Sequence, residues 1–437
     1  VAGSRAAASH TGAITNSDMV VRALFRKAGI VYCSSREELL SVASVFHYKE
    51  LKGKNIAVIT HAGGSAVMLT DALSLGGLQI PPIEGPDAEK LLSFLHPGSS
   101  VNNPIDFLAT GTAQQLGIII DYCEQKFDQI DAMVVVFGSP GLFDVANVYA
   151  VISEKLKICS KPIYPVLPSV INAQKEIRQF LATGHVNFPD EVELGRALVA
   201  IYKTPAPQAA FQPVYSIDQK RIRNIVESAN DGFLSTEEVE GLLDGVGVPR
   251  VAESIVKTPS EIEAMKHSIS FPVVMKVIGP VHKTDVGGVL LNIKSVEEMH
   301  DRFEQLMQID QANGVLVQPM IDGTELFIGI KRESNFGHII LCGLGGIFVE
   351  VLKDFSSCLC PVSKTEATTM IQRLRAYKII QGTRGRGGVD EELFSEIIQR
   401  ISNLVTVAPE IVEMDINPLM GSMRGITAVD TRIRIEK

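Results

Sequence analysis

The chain has 437 residues, of which 46% are hydrophobic, and a formal net charge of −9. At roughly 150 residues per domain, this length predicts two or three domains, and the acidic balance argues against nucleic acid as the main partner. No apolar run reaches the roughly 18 residues that a membrane helix needs, so no membrane partner is expected.

The N-terminal segment, residues 1–48, is rich in alanine and serine before it becomes helical. A helical pattern begins at Met19 and stops at Gly29, because glycine commonly ends a helix. His10 precedes this helix in the run A-A-A-S-H-T-G-A-I. Because the chain starts at Val1 rather than at methionine, we expect it to be a fragment or a processed chain with further sequence upstream.

Residues 49–203 alternate apolar runs with helical segments. Three of the runs are predicted to be buried strands, at 55–60, 132–137 and 162–167. Gly63, Gly64 and Ser65 follow the first run and open a helix that is expected to continue through Leu75. Buried strands separated by helices are typical of a parallel sheet covered on both faces, so the region is predicted to be a three-layer α/β domain.

A proline-rich linker, residues 204–216, separates this region from a second large domain over residues 217–437. Ser235 and Thr258 each stand three residues before a glutamate, which is the spacing of a capping box at a helix start. Strand-like runs then follow one another without a helix between each pair, at 314–318, 325–330, 338–342 and 426–430. The second domain is therefore predicted to be α+β with antiparallel sheets.

Lys276 lies in an apolar, strand-like run that leads into a glycine-bearing loop with His282 near its start. A lysine can hold phosphate oxygens as a point charge, and glycine pairs let backbone amides approach an anion. The imidazole of His282 is a candidate nucleophile because its neutral form exists at cell pH. His10 stands in a similar setting, so the two histidines suggest a phosphoryl relay.

Polar residues also gather in the second domain. Glu325 begins a strand, and Glu413, Asp415 and Asn417 alternate with apolar residues, which places them on one strand face. Asp430 lies on the next strand, and such carboxylate and amide oxygens suit octahedral Mg²⁺ together with waters and phosphates. The alternative for this run alone is a solvated polar strand face; the lysine and histidine loop upstream favour the metal site.

The run Gly343-Leu344-Gly345-Gly346 has glycines like those of a dinucleotide fingerprint. It lacks the βαβ context and the acidic residue about 20 positions later that such a site requires. We therefore expect a glycine turn here rather than a dinucleotide site. His61 stays undecided between a place in a phosphate-facing turn and a helix cap. The histidines other than His10, His61 and His282 are expected to be structural.

Together these motifs resemble the nucleoside-diphosphate-forming acyl-CoA synthetases, relatives of succinyl-CoA synthetase typified by ADP-forming acetate–CoA ligase. The matching motifs cover nearly the whole chain in the family's order: A-S-H-T-G, I-T-H-A-G-G, N-N-P-I-D, V-M-K, H-K-T-D-V-G-G-V, G-L-G-G-I-F-V-E-V-L, E-M-D-I-N-P-L and A-V-D-T-R. The resemblance implies a flavodoxin-like three-layer parallel-sheet CoA-ligase domain over 49–203 and an ATP-grasp domain over 217–437. It makes residues 1–48 the C-terminal remnant of a succinyl-CoA-ligase-like domain.

The resemblance also implies roles for individual residues. His10 and His282 match the two phosphorylated histidines, and Asp415 replaces a family glutamate, one methylene longer, that steadies phosphohistidine. Asn417 and Asp430 match the Mg²⁺ ligands. The nucleotide contacts are matched by a further set: Lys276, Gln318, Met320, Glu325 and Glu350.

A phosphate site is implied in the first domain, where the family holds the anion at helix N-termini. Gly63, Gly64 and Ser65 can supply such a helix start, since its amides and its dipole favour phosphate. Asn103 and Asp106 are further candidates for this site.

The implied reaction converts acyl-CoA, ADP and phosphate into a carboxylic acid, ATP and CoA through phosphohistidine intermediates. The implied cofactors are Mg²⁺ and ATP or ADP, with CoA bound mainly by an N-terminal domain that this chain lacks. The resemblance also implies a homo- or hetero-oligomer. The six cysteines show neither CxxC pairs nor zinc spacing, which is typical of free thiols in a reducing cytoplasm. The acyl group, and ADP versus GDP, stay open.

Two other functions are compatible with parts of the sequence. One is a regulatory protein of the acetyltransferase type, and the other is an ATP-grasp ligase that forms acyl phosphate directly. Neither requires the two histidines, so their presence favours the phosphohistidine route.

Overall fold

The computed structural model describes residues 18–139, 145–207, 215–279, 287–346, 348–383, 385 and 387–437. The chain divides into two compact units: Phe25–Pro207 is one, and the residues before and after it form the other. Within the described ranges, no helix has both the length and the apolar character that crossing a bilayer requires.

The unit Phe25–Pro207 is built around a sheet of four strands. The strands are β1 (Ile56–Thr60), β2 (Ile105–Asp106), β3 (Ala132–Val136) and β4 (Ile163–Val166). They lie in the order β2-β1-β3-β4, and every neighbouring pair is parallel. A parallel sheet in this order is the flavodoxin-like arrangement, so the predicted fold class of this region is confirmed.

All but the first of the helices before Pro207 cover the two faces of this sheet. The helices that precede Pro207 are α1 (Asp18–Ala28), α2 (Arg36–Val45), α3 (Gly63–Leu75), α4 (Pro86–Leu92), α5 (Ala113–Gln125), α6 (Ala146–Ile158), α7 (Gln174–Ala182) and α8 (Glu191–Lys203). Helix α3 ends at Leu75, where the sequence predicted it, and Gly76 caps it.

The strands β1 and β3 are buried along their whole length because successive residues enter two different cores. Ala57 and Ile59 belong to one hydrophobic cluster, whereas Ile56 and Val58 belong to the other. This two-sided burial explains why the strands are continuous apolar runs in the sequence.

The other unit contains two antiparallel sheets. Its strands are β5 (Gly232–Phe233), β6 (Ser254–Val256), β7 (Val273–Ile278), β8 (Val289–Ile293), β9 (Gly314–Pro319), β10 (Thr324–Glu333), β11 (Gly337–Leu344), β12 (Phe355–Leu359), β13 (Ile411–Ser422), β14 (Gly425–Ala428) and β15 (Thr431–Ile435). The larger sheet has the order β12-β11-β10-β13-β15-β5, with β14 on β13, and the smaller one has the order β6-β9-β7-β8. The α+β prediction is therefore confirmed.

Most helices of this unit pack on one face of the larger sheet, whereas Pro259–Met265 and Val296–Met307 pack on the smaller sheet. The helices are α9 (Gln219–Ser228), α10 (Thr236–Val246), α11 (Pro259–Met265), α12 (Val296–Met307), α13 (Lys364–Gln372), α14 (Tyr377–Gln381) and α15 (Glu391–Val407), with a π-helical turn at Phe348–Leu352. Met414 and Ile416 of β13 enter the core with α15, so the alternating Glu413 and Asp415 lie on the opposite face. The predicted capping boxes at Ser235 and Thr258 are both present.

Candidate functional site

The predicted lysine lies on the smaller sheet and points away from that sheet's core. Lys276 of β7 is opposite Leu316 of β9, and Val274 is opposite Gln318, so these four side chains share one face. Only 8% of Lys276 is exposed, and its Nζ lies 3.5 Å from the backbone carbonyl oxygen of Val429. Lys276 of the smaller sheet thus lies next to Val429, which connects strands β14 and β15 of the larger sheet.

A cavity of about 320 Å³ opens beside Lys276. Its polar lining includes Lys276, Glu253 and Asp430, whereas Val251 and Leu316 contribute to an apolar wall. Small-molecule sites typically occupy roughly 300–1,000 Å³ and combine an apolar lining with a few placed polar groups. The cavity therefore has the size and composition of a small-ligand site.

The two predicted magnesium ligands are brought together by backbone pairing. The N–H of Asn417 donates to the carbonyl oxygen of Asp430 at 3.0 Å, and the N–H of Val429 donates to Pro418 O at 3.1 Å. Asn417 and Asp430 are 13 positions apart in the chain, yet backbone pairing makes them direct neighbours. Asp430 also borders the cavity that contains Lys276.

A glycine turn joins Glu325 to the same place. Gly345 donates its N–H to the carbonyl oxygen of Glu325 at 2.8 Å, and Gly346 donates to Asn417 Oδ1 at 3.2 Å. Gly346 has φ of +58°, and a β-carbon there would overlap the Glu325 carboxylate. Only glycine fits such a position without strain. The predicted glycine turn thus lies between a predicted nucleotide contact and a predicted metal ligand.

Asp415 occupies the polar face of β13, opposite Gly329 of β10 and Arg432 of β15. Its side chain retains solvent exposure. The surrounding protein nevertheless desolvates the carboxyl group, and the Asp430 carboxylate repels its charge, so the pKa of Asp415 is raised. Arg432 opposes this rise only in part. Desolvation is thus the main cause of the raised pKa of Asp415, and the neighbouring Asp430 carboxylate adds to it.

The oxygen atoms near Asn417 and Asp430 fit a magnesium ion. Protein sites for Mg²⁺ usually supply one or two carboxylates and leave the other positions to waters and phosphates. Asn417 Oδ1 accepts one hydrogen bond and keeps a second lone pair for a cation. The described residues contain no group of three or more His, Cys, Asp or Glu side chains that could hold a metal alone. Asn417 and Asp430 therefore suit an ion that shares its ligands with a phosphate.

Several predicted residues are not brought to this cavity. Gln318 is completely buried and Met320 is partly exposed, and neither lines the cavity. The backbone N–H of Met320 donates to Pro272 O at 2.9 Å. His10, His282 and the side chain of Glu350 lie outside the described residues.

The sequence did not single out Glu253, which lines the cavity beside Lys276. Its Oε1 accepts a hydrogen bond from Gln318 Nε2 at 2.7 Å. No motif surrounds this glutamate, and only the pairing of β6 with β9 brings it near Gln318. A register prediction for the smaller sheet would have been needed to find it.

The start of helix α3 forms a second candidate site, in the unit Phe25–Pro207. Gly63, Gly64 and Ser65 lie in the first turn of α3, just after β1, and Ala62 provides no side-chain cap for their amides. A β-carbon on Gly64 would meet nothing within 4 Å, whereas one on Gly63 would lie 3.7 Å from Asp106 Oδ2. Ligands of open α/β sheets bind at the carboxyl ends of strands where the strand order reverses, which is the position of β1 beside β3.

Two polar residues beside this site, Asn103 and His61, are held by contacts within the protein. Asn103 is buried, and its amide is used by the backbone: its Oδ1 accepts from Val58 and its Nδ2 donates to Ile56 and Pro81. His61 stacks on Phe137 with ring centroids 4.2 Å apart. Burial lowers the pKa of His61, so its ring is neutral at pH 7. Asn103 is therefore structural, and of the two candidates only Asp106 lies near Gly63.

Two known protein families match parts of the chain. A family described as an ATP-grasp domain matches residues 226–435, and a family described as a succinyl-CoA ligase like flavodoxin domain matches residues 1–46.

Three relatives illustrate the similarity. Acetate–CoA ligase [ADP-forming] I of Archaeoglobus fulgidus is 31% identical over 446 residues, which cover 99% of this chain and 64% of that protein. The beta subunit of acetate–CoA ligase [ADP-forming] I of Pyrococcus furiosus is 36% identical over 225 residues, which cover 49% of this chain and 97% of the subunit. A solved chain of acetyl-coenzyme A synthetase 1 from Ca. Korarchaeum cryptofilum, in complex with coenzyme A and Ca-AMPCP, has a TM-score of 0.46 and 33% identity. The match covers 50% of this chain and 100% of the solved chain. The chain spans only 64% of the length of the Archaeoglobus fulgidus ligase.

Proposed function

Because the chain belongs to the family of ADP-forming acyl-CoA synthetases, we propose that it contributes to the interconversion of acyl-CoA, ADP and phosphate with a carboxylic acid, ATP and CoA. Its part in this reaction is phosphoryl transfer to and from the nucleotide. One observation carries the proposal: Lys276 and Asp430 line one cavity, and a glycine turn links Glu325 to Asn417, whose backbone pairs with Asp430.

The nucleotide would occupy the cavity beside Lys276. The apolar wall at Val251 and Leu316 suits the base, and the Lys276 ammonium group suits the phosphate oxygens. Asn417 and Asp430 would hold Mg²⁺, which neutralises phosphate charge when it is bound. Phosphoryl transfer depends mainly on such positioning and charge neutralisation, so these residues supply what the nucleotide half-reaction needs.

The phosphoryl group would be carried by the two histidines. We propose that His10 attacks the phosphorus of an acyl phosphate, so that a nitrogen–phosphorus bond forms and the carboxylate leaves. The group then passes to His282 and from there to ADP, and each step releases the preceding histidine as neutral imidazole. The uncapped start of α3 at Gly63 and Gly64 would hold the phosphoryl oxygens during the first step. Asp415 would steady the phosphorylated His282.

The other functions of the family are likewise proposals for this protein. Because the chain spans 64% of its relative, we propose that CoA is bound mainly outside these 437 residues. Relatives in Pyrococcus furiosus are named as separate alpha and beta subunits, which supports a homo- or hetero-oligomer. We place the protein in the cytoplasm, where acyl-CoA and nucleotides are available.

The relay is tested by incubating the purified chain with γ-labelled ATP and Mg²⁺ and mapping acid-labile, base-stable phosphate by mass spectrometry. We expect the label on His282, and its loss to background in the His282→Ala variant, because His282 is the proposed acceptor of the phosphoryl group from the nucleotide. The exposed His267 provides the control, since His267→Ala is expected to label like the wild type. Equal labelling of His282→Ala would contradict the relay, and an unlabelled wild type that still binds ATP would favour a direct ligase.

A further inference from the structure

The carbonyl oxygen of Val429 is where the two sheets of the nucleotide-binding unit meet. Gln318 Nε2 of the smaller sheet donates to it at 3.3 Å, and Lys276 Nζ lies 3.5 Å away. Val429 immediately precedes Asp430, so these contacts act on the peptide that carries a proposed metal ligand.

The opposite side of this peptide is held by the larger sheet. Val429 N–H donates to Pro418 O at 3.1 Å, and Asp430 O accepts from Asn417 N–H at 3.0 Å. The Val429–Asp430 segment is therefore fixed from both sides. Loss of the contact from Gln318 would leave only the longer contact from Lys276 on one side of the segment, so the Asp430 carboxylate could shift.

The Gln318 amide is built for this contact rather than for a ligand. The side chain has no exposed surface and does not line the cavity. One amide hydrogen goes to Glu253 Oε1 at 2.7 Å and the other to Val429 O. Among the described residues, Gln318 Oε1 is buried without a hydrogen-bond partner. An unpaired buried oxygen is costly, and the two hydrogen bonds donated by the Gln318 nitrogen offset that cost.

Glu253 determines which way the amide points. If the amide rotated by half a turn, Gln318 Oε1 would face both the Glu253 carboxylate and the Val429 carbonyl oxygen. Three acceptors would then repel one another without a proton between them. The carboxylate of Glu253 thus keeps Nε2 directed at Val429.

We propose that Gln318 is a positioning residue for the Asp430 metal ligand, oriented by Glu253, rather than a contact to the nucleotide base. This proposal rests on the proposed binding of a magnesium–nucleotide complex. It assigns to Gln318 the role of an outer partner of a metal ligand, and removal of such partners typically lowers metal affinity about 10- to 100-fold.

The test measures ADP binding to the 437-residue chain by calorimetry, once with excess Mg²⁺ and once with EDTA. The ratio of the two dissociation constants gives the contribution of the metal. For Gln318→Met, which keeps the volume but loses the amide, we expect this ratio to fall about tenfold, with the constant in EDTA unchanged within about twofold. Because no activity is measured, the result does not depend on the histidine relay.

Variants of Glu253 separate positioning from a general effect on folding. Glu253→Gln keeps an oxygen that can accept from Gln318 and is expected to retain most of the wild-type ratio, whereas Glu253→Ala is expected to lower it several-fold. Glu253 is partly exposed, so its variants can be measured even if Gln318→Met does not fold. The adjacent, exposed Ser254 supplies the control, and Ser254→Ala is expected to leave the ratio unchanged.

Two results would overturn the proposal. If Gln318→Met weakened ADP binding equally with and without Mg²⁺, Gln318 would be a nucleotide contact. If Gln318→Met and Glu253→Ala both kept the wild-type ratio, neither residue would position Asp430. A wild-type chain that bound ADP with no dependence on Mg²⁺, or not at all, would instead overturn the proposed function, and this inference with it.

Discussion

His338 on β11 illustrates how packing sets the state of a single residue. Only 8% of it is exposed, and its Nε2 lies 2.7 Å from the carbonyl oxygen of Ile411. Burial lowers the pKa of His338 and the nearby Arg332 adds to this effect, although the hydrogen bond to Ile411 opposes it. The sequence predicted a structural histidine here, and the ring links strand β11 to Ile411 of β13.

The neutral His338 predicts a stability that depends on pH. Its pKa is lower in the folded state than the usual value of about 6.5, so the contribution is complete above that value and is lost as the pH falls below it. One such group changes the free energy of unfolding by at most about 1.4 kcal/mol per pH unit. We expect His338→Gln to reduce the loss of stability between pH 7 and pH 5, as measured by urea unfolding.

The control for this prediction is His267→Gln, because His267 is exposed. Its unfolding curve should keep the pH dependence of the wild type. If His338→Gln kept the same dependence as well, protonation of His338 would have no part in acid sensitivity.

At the scale of single elements, the start of helix α3 combines an open strand end with uncapped amides. Gly63 and Gly64 lack side chains, and Ala62 cannot cap, so the first N–H groups of α3 have no local side-chain acceptor from the cap residue. The partial positive charge of the helix start adds to this preference for an anion. The run of residues 55–65 is sufficient to predict this element, because a buried strand, a glycine turn and a helix follow one another directly.

The element can be tested by placing a negative charge in its first turn. A β-carbon at Gly64 meets nothing within 4 Å, so Gly64→Asp should fold normally and gain about 0.3–1 kcal/mol from the helix dipole. We expect the same change to abolish binding of inorganic phosphate, because the carboxylate occupies and repels the anion site. Binding is measured by calorimetry and stability by thermal unfolding.

Gly64→Ala is the matched variant, since it adds the β-carbon without the charge. It should retain phosphate binding within about threefold. Phosphate binding by Gly64→Asp at wild-type strength would place the anion elsewhere. A loss in both variants would point to a steric effect rather than to charge.

At the scale of the whole molecule, the chain consists of two compact units, one of which contains the proposed nucleotide site. The unit Phe25–Pro207 has its own cores on both faces of the parallel sheet, and the other unit has its own core beneath the larger antiparallel sheet. Units with separate cores can unfold in separate transitions.

Calorimetric scans should therefore resolve two transitions that respond differently to ligand. At 100 times the dissociation constant, Mg-ADP adds about 2.7 kcal/mol to the unit that binds it, which corresponds to about 5 to 10 °C. We expect the transition of Phe25–Pro207 to stay where it is. The Lys276→Met variant should lose the shift, because it lacks the phosphate-binding charge. Equal shifts of both transitions would contradict separate units.

Local patterns in the chain were enough to predict much of the architecture. Apolar runs predicted β1, β3 and β4, glycine ended α3 at the expected position, and the capping boxes marked α10 and α11. These signals extend over only a few residues, so they survive without knowledge of the fold. The two-residue strand β2 escaped prediction because so short a run has no period.

The arrangement of the proposed nucleotide site depended on the tertiary structure alone. Lys276 and Gln318 reach Val429 across 153 and 111 positions of the chain, and no local pattern encodes contacts of that range. Strand register decides them, because a shift of one residue would turn each side chain to the other face of its sheet. For this reason the sequence did not single out Glu253, and only the paired sheets place Gln318 between Glu253 and the carbonyl group that precedes Asp430.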